Sequence, residues 1–259
     1  MGLEVRPLVV DRKSGEFPLF DDLVSALEKN GVKIENGDVL AVSSKYVANS
    51  QGRVIGLEGV KTYPGGEEIA RSFHIPERFA EVIRRESDSV LGGIAGFAMC
   101  AVDGVLAPNA GIDRSNSKRD QVILYPDGPY EMAEGLRRRI FLEFLVNVGV
   151  IIIDSRLMPA RAGTVGVAIG CSGMEPVNDM RSQRDLDGNP LKVTMQATAD
   201  SLATAANHSM GEGSESRPYV VIKKSDAKLT ARRIRPGEVA VAHDQCVYVR
   251  SLKKRSGFK

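Results

Sequence analysis

The chain has no tryptophan, three cysteines, three histidines and only 5% aromatic residues in 259 positions. So few rings leave little to stack on single-stranded bases. Lys plus Arg number 35 against 33 Asp plus Glu, a net of +2, which argues against nucleic-acid binding through bulk charge. Cys100, Cys171 and Cys246 are odd in number and far apart, with no Cys-x-x-Cys and no neighbouring histidine. That spacing argues against a disulfide framework or structural zinc and predicts reduced, mostly buried thiols in a cytoplasmic protein. His74, His208 and His243 are scattered and read as surface or capping residues. The longest apolar run, Val148 to Ile153, is too short to span a bilayer. The first residues carry no apolar leader segment, and Val5 and Arg6 stand where myristoylation would favour Ser or Thr. The expectation is a protein with no membrane and no nucleic-acid partner.

The familiar catalytic signatures are missing too. There is no Gly-x-x-x-x-Gly-Lys-Ser/Thr loop and no Gly-x-Gly-x-x-Gly between a strand and a helix, so P-loop and Rossmann sites are not expected. Neither His-Glu-x-x-His nor Gly-x-Ser-x-Gly occurs. What is present is an ordinary folded composition, 42% hydrophobic and 26% charged, with 26 glycines. The length suits one large domain or two small ones.

Periodicity predicts an α/β or α+β chain. Strands are expected over residues 3–10, 39–43, 149–154, 164–170, 191–195 and 219–222, with a hairpin at Ala101 to Val105. Helices are expected over 23–29, with Asp21 or Asp22 as N-cap, over 69–73 and 76–85, over 130–147, and from 195 to near Gly211. Asp11 to Gly15 reads as a polar break, and the basic tail with Lys253, Lys254 and Arg255 is expected to fray.

Three acids stand at turns beside small polar residues. Asp113 lies in Asn109-Ala110-Gly111-Ile112-Asp113-Arg114-Ser115-Asn116, Asp154-Ser155 closes the most apolar strand, and Glu212 sits in Met210-Gly211-Glu212-Gly213-Ser214. Such carboxylates and hydroxyls suit magnesium or manganese bridging phosphate oxygens, although each also reads as a cap or plain loop residue. Ser43-Ser44-Lys45 after a buried strand could cradle phosphate, and Arg156 and Arg161 flank the second acid. The consecutive Arg137, Arg138 and Arg139 cannot all face one ligand.

In order, Gly37 to Lys45, Asn109 to Asp113 with Asn116, Arg137 to Ile140, Val150 to Ser155, Gly166 to Gly170 and Met210 to Gly213 resemble the coenzyme F420-0:γ-glutamyl ligase family. The resemblance runs from about Val5 to Ile222 and leaves the basic 223–259 segment outside. It implies one ligase unit of two intertwined parts, unlike ATP-grasp, forming homodimers with the active site near the interface. It also implies a GTP-dependent acid–amino-acid ligase that joins L-glutamate to the terminal carboxylate of a deazaflavin precursor through an acyl phosphate. By the same resemblance Asp113, Asp154, Ser155 and Glu212 would hold a divalent metal, with a monovalent cation such as potassium as a further cofactor. Nucleotide contacts would fall on Phe17, Pro18, Leu19, Phe20, Ser43, Ser44, Asn116, Met210, Gly211, Gly213 and Ser214, within a loop reaching Arg217. Gly111, Gly163, Gly170, Gly211 and Gly213 would let backbone approach the nucleotide closely.

Two stretches depart from the family pattern. Ala48-Asn49-Ser50-Gln51-Gly52 stands where a stretch like Ser-Lys-Ala-Glu-Gly brings a second lysine, and Asp154-Ser155-Arg156-Leu157-Met158-Pro159 replaces Asp-Thr-x-Gly-Arg-Pro. The departures keep open a related amide ligase with another amino acid or carboxylate, and a non-catalytic nucleotide- or cofactor-binding protein.

Overall fold

The computed structural model describes residues 2–13, 15–114, 120–242 and 245–253. Its centre is a mixed five-stranded sheet in the order β1 (Glu4–Leu8), β12 (Tyr219–Lys223), β2 (Val39–Ser43), β8 (Gly149–Leu157), β9 (Thr164–Ser172). The middle pair β2 and β8 runs parallel, and every other pairing is antiparallel. Near-continuous Val, Leu and Ile runs build these strands because both faces of the sheet are covered.

Alternation along each strand divides the core in two. Leu40, Val42, Val150, Ile152 and Val221 pack on one side with α1 (Leu19–Lys29) and α5 (Pro129–Phe144). Val39, Ala41, Ile151, Ile153 and Ile222 pack on the other with α6 (Thr198–Met210). Helix α6 presents Ala199, Leu202, Ala203, Ala206 and Met210, an i, i+3, i+4, i+7 stripe with little bulk. Gly166 of β9 makes room for it: an added Cβ there would lie 2.3 Å from the Ala203 carbonyl oxygen. Gly170 does the same for α5, facing the Pro129 carbonyl oxygen at 2.4 Å. Its missing side chain therefore admits a helix and not a ligand, which corrects the expectation for that glycine.

Smaller sheets surround this body. β4 (Ser89–Ile94), β5 (Phe97–Val102) and β6 (Val105–Pro108) form a meander, with the expected hairpin at Asp103-Gly104. β3 (Val54–Gly56) pairs with β7 (Gln121–Ile123), and β10 (Val177–Asp179) pairs with β11 (Met195–Ala197). The remaining helices are α2 (Ser44–Ser50), α3 (Pro64–Phe73), α4 (Glu77–Glu86) and α7 (Val247–Lys253).

The class is α/β, as the patterning predicts, and several boundaries move. Helix α1 begins at Leu19, a turn before the expected start, so Pro18 caps it and Asp21 and Asp22 lie inside the first turn. Strand β8 runs on to Leu157, because residues beyond Ile153 continue to pair with β9. Leu191 to Met195 is not a strand; pairing begins at Met195, and exposed Val193 has no core to enter. The segment after β12 packs back on the body, where Ile234 is buried beside α6 and Arg232 pairs with Glu175 and Glu238. Cys100 and Cys171 are buried free thiols, as expected, and Cys246 is half-buried. His74 caps α3 in a left-handed conformation and His208 is exposed, while His243 and the tail's Lys254 and Arg255 lie outside the described residues. Among the described residues no helix is long and apolar enough to cross a membrane.

Candidate active site

The parallel pairing of β2 with β8 ends at Ser43 opposite Ile153, while β8 continues alongside β9. A cleft of about 410 Å³ opens beyond them, in the usual place for a ligand in an α/β sheet. Ser43, Ser44, Lys45, Tyr46 and Asn49 line it from α2 and the strand before it, and Asp113, Asp154 and Ser155 line it from the other side. The stretch from Met210 to Pro218 closes the third side, and Val10, Arg12, Lys13 and Asn207 complete the wall.

Three successive residues at the start of α2 each bind an acid on a different element. Ser44 Oγ donates to Asp154 Oδ1 at 2.7 Å, Lys45 Nζ lies 2.5 Å from Asp113 Oδ2, and the Tyr46 hydroxyl donates to Asp22 Oδ2 at 2.8 Å. One helical turn sends successive side chains some 100° apart, so a single short helix reaches β8, the Asp113 loop and α1 together.

Asp113 follows Asn109, Ala110 and Gly111, all left-handed, with φ of 51°, 56° and 69°. Two of these are not glycine, and such backbone persists only when its surroundings hold it. The Asn109 side chain supplies part of that hold, accepting from Ala98 N at 2.9 Å, and Asp113 then exchanges both backbone bonds with Ile123.

Period-two alternation on β8 splits the next acid from its neighbour. Asp154 points to the α2 side, where its other oxygen lies 2.8 Å from Arg156 Nε. The Arg156 side chain is only 4% exposed, and its Nε and Nη2 make no well-aligned hydrogen bond. It lies beside the ring of Tyr125, whose hydroxyl burial pushes well above its ordinary titration range. Ser155 points to the α6 side and donates to Glu212 Oε1 at 2.7 Å. Asn207 Nδ2 and Thr164 Oγ1 donate to the same oxygen at 2.8 and 3.1 Å. Oε2 of Glu212 therefore has no hydrogen bond among the described residues.

The cleft thus gathers Asp113, Asp154, Ser155 and Glu212, with Ser43, Ser44, Met210, Gly211, Gly213 and Ser214. It does not gather Phe17 to Phe20: Leu19 and Phe20 are buried in the core, and Phe17 packs against the Tyr46 ring at 4.9 Å. Asn116 lies outside the described residues. The hard oxygen donors fit magnesium or manganese in kind. Among the described residues, however, no three acidic, histidine or cysteine side chains are grouped closely enough to hold an ion, and Asp113 and Asp154 meet Lys45 and Arg156 instead. Arg12, Lys13, Tyr46, Thr164 and Asn207 were not legible as site residues. Arg12 and Lys13 look like a polar connector, and Asn207 like an ordinary helix position.

A polar cleft with convergent acids, placed where β2 ends beside β8, is the kind of site that an α/β enzyme uses. The family model for F420-0:Gamma-glutamyl ligase matches residues 16–224, and the chain belongs to that family of ligases. It is 37% identical to a coenzyme F420:L-glutamate ligase of Methanopyrus kandleri over 222 residues, 85% of this chain and 86% of that protein. It is 38% identical to one from Archaeoglobus fulgidus over 203 residues, 78% of this chain and 81% of that one. A ligase of the same name from Methanocaldococcus jannaschii is 35% identical over 191 residues, covering 73% and 76% of the two chains.

Proposed function

We propose that the chain joins L-glutamate, through its amine, to the terminal carboxylate of the deazaflavin F420-0, driven by GTP. The observation that carries this reading is the convergence of Asp113, Asp154, Ser155 and Glu212 on one cleft in a member of this ligase family. In the first step a carboxylate oxygen of F420-0 attacks the γ-phosphorus, the bond to GDP breaks, and an acyl phosphate forms. In the second the amine attacks the acyl carbon, phosphate leaves, and the nitrogen gives up a proton as the amide forms.

In this proposal Asp113, Asp154, Ser155 and Glu212 would draw together around a divalent magnesium or manganese ion in place of the Lys45 and Arg156 pairs, and the ion would supply charge neutralisation for the phosphates. Ser44 and Arg156 hold the Asp154 carboxylate from two sides, and Asn207, Thr164 and Ser155 fix one oxygen of Glu212. That bracing orients the acids before any ligand arrives, which is how positioning lowers a barrier. A homodimer and a monovalent cation such as potassium belong to the same proposal.

Incubation with GTP, magnesium or manganese, L-glutamate and F420-0, followed by mass analysis, tests the reading. A glutamyl mass increment is expected, and its absence with every metal refutes the proposal. Turnover with another amino acid alone selects a related amide ligase instead. Asp113→Asn, Asp154→Asn and Glu212→Gln should each abolish product formation and leave the circular-dichroism spectrum unchanged. Full activity in all three overturns the assignment of the acids.

A further inference from the structure

The acids that line the cleft make it unfavourable for a polyphosphate unless cations in the same wall face the ligand. Lys45 in the wall is already paired with Asp113, and Arg156, buried behind the wall, with Asp154. Lys13 differs, because its partner lies outside the cleft wall. Its Nζ is 3.2 Å from Oδ1 of Asp22, a residue of α1 whose side chain is 7% exposed. The other Asp22 oxygen accepts from two tyrosine hydroxyls, Tyr46 at 2.8 Å and Tyr219 at 3.0 Å. Asp22 is thus anchored by two tyrosines within the core, and it tethers the ammonium of a lysine whose side chain remains 44% exposed and lines the cleft. An ammonium carries three donors, so one bond to Asp22 leaves two for a ligand.

We infer that Lys13 contacts the phosphates of the nucleotide and that Asp22 is the positioning residue that holds it there. The inference rests on the proposed GTP-dependent reaction, in which the triphosphate is the most anionic of the three substrates. A lysine offers phosphate a compact point charge. Arg217 stands close by in the chain's folding, since Ser216 and Val10 exchange bonds that bring the 210–218 stretch beside the Arg12–Lys13 segment. The Tyr46 bond makes the same carboxylate a link between Lys13 and α2, whose Ser44 and Lys45 hold two of the cleft acids.

Calorimetric titration of the full chain with GTP and manganese, without glutamate or F420-0, tests this directly. Losing one charge-assisted bond predicts that Lys13→Met weakens GTP binding about tenfold. Lys13→Arg should recover most of that affinity, and Asp22→Asn should weaken GTP binding although the ammonium is intact. In turnover the KM for GTP should rise by more than kcat falls, a split that a merely structural role would not produce. Lys13→Met alters an exposed side chain and so carries the test without the folding burden of the buried Asp22. Unchanged GTP affinity in Lys13→Met overturns the inference. So does a loss that falls on glutamate or F420-0, titrated separately, and spares GTP. Failure of the wild-type chain to bind GTP would instead overturn the functional reading beneath it.

Discussion

Helix α6 carries Asn207 and leads directly into the Glu212 loop, so its seat on β9 sets the position of one cleft acid. That seat depends on Gly166. Its backbone is not left-handed, and replacement by alanine therefore tests space alone. The added Cβ would sit 2.3 Å from the Ala203 carbonyl oxygen and 2.6 Å from Asn207 Cβ, where 3.4 Å is ordinary contact. Neither atom can rotate aside, so the helix must retreat by about 1 Å, an overpacking that costs on the order of 3 kcal/mol. At a urea dependence near 3 kcal/mol/M this lowers the unfolding midpoint by about 1 M. The retreat also carries the Glu212 loop away from β8 and β9, stretching the 2.7 and 3.1 Å bonds from Ser155 and Thr164 to Glu212, so product formation should fall in the folded variant. Gly135→Ala is the matched comparison. It lies on the exposed side of α5 with nothing within 4 Å, and it should stabilise by about 0.5–1 kcal/mol. Urea unfolding followed by circular dichroism measures both. A Gly166→Ala midpoint within about 0.2 M of wild type would refute the packing argument.

Two further outcomes follow from the bracing of the acids and from helix-surface ion pairs. Ser44→Ala removes the hydroxyl bonded to Asp154 Oδ1, a loss of about 1 kcal/mol that predicts a fall of roughly fivefold in kcat/KM; unchanged kinetics would show that Asp154 needs no such brace. Glu81 and Glu134 are both held down from 4.5 to about 2, by hydrogen bonds from Arg84 and Arg137 respectively. A depressed carboxyl stabilises the fold fully above its unfolded value and loses that contribution as pH falls through its folded value. Acid unfolding should therefore steepen between about pH 4.5 and pH 2, and Glu134→Gln should flatten it. An unchanged pH profile in that variant would contradict the ion-pair assignment.

The strands that build the sheet were legible because burial on both faces writes itself as uninterrupted Val and Ile runs, as in Val150 to Ile153. Helix α6 was legible from its small-residue stripe, and Asp113, Asp154 and Glu212 from acids set beside turns. Other features had no local signature. The continuation of β8 past Asp154 depends on β9 remaining alongside it, and the start of α1 depends on Leu19 and Phe20 entering the core. The same burial removes Leu19 and Phe20 from the cleft, where the family resemblance implied nucleotide contacts.

Residue order alone therefore carried the fold class, the main strands and helices, the family resemblance and the three acids, because periodicity and motif spacing are local properties. Tertiary structure decided which side chains meet. Asp22 and Lys13 are near in sequence, but the carboxylate also needs Tyr46 and Tyr219, the latter 197 positions away. Glu212 needs Ser155, 57 positions earlier, and Asp154 needs Ser44, 110 positions earlier. Hydrogen bonds act over about 3 Å, and only the closed sheet brings such distant positions within that reach.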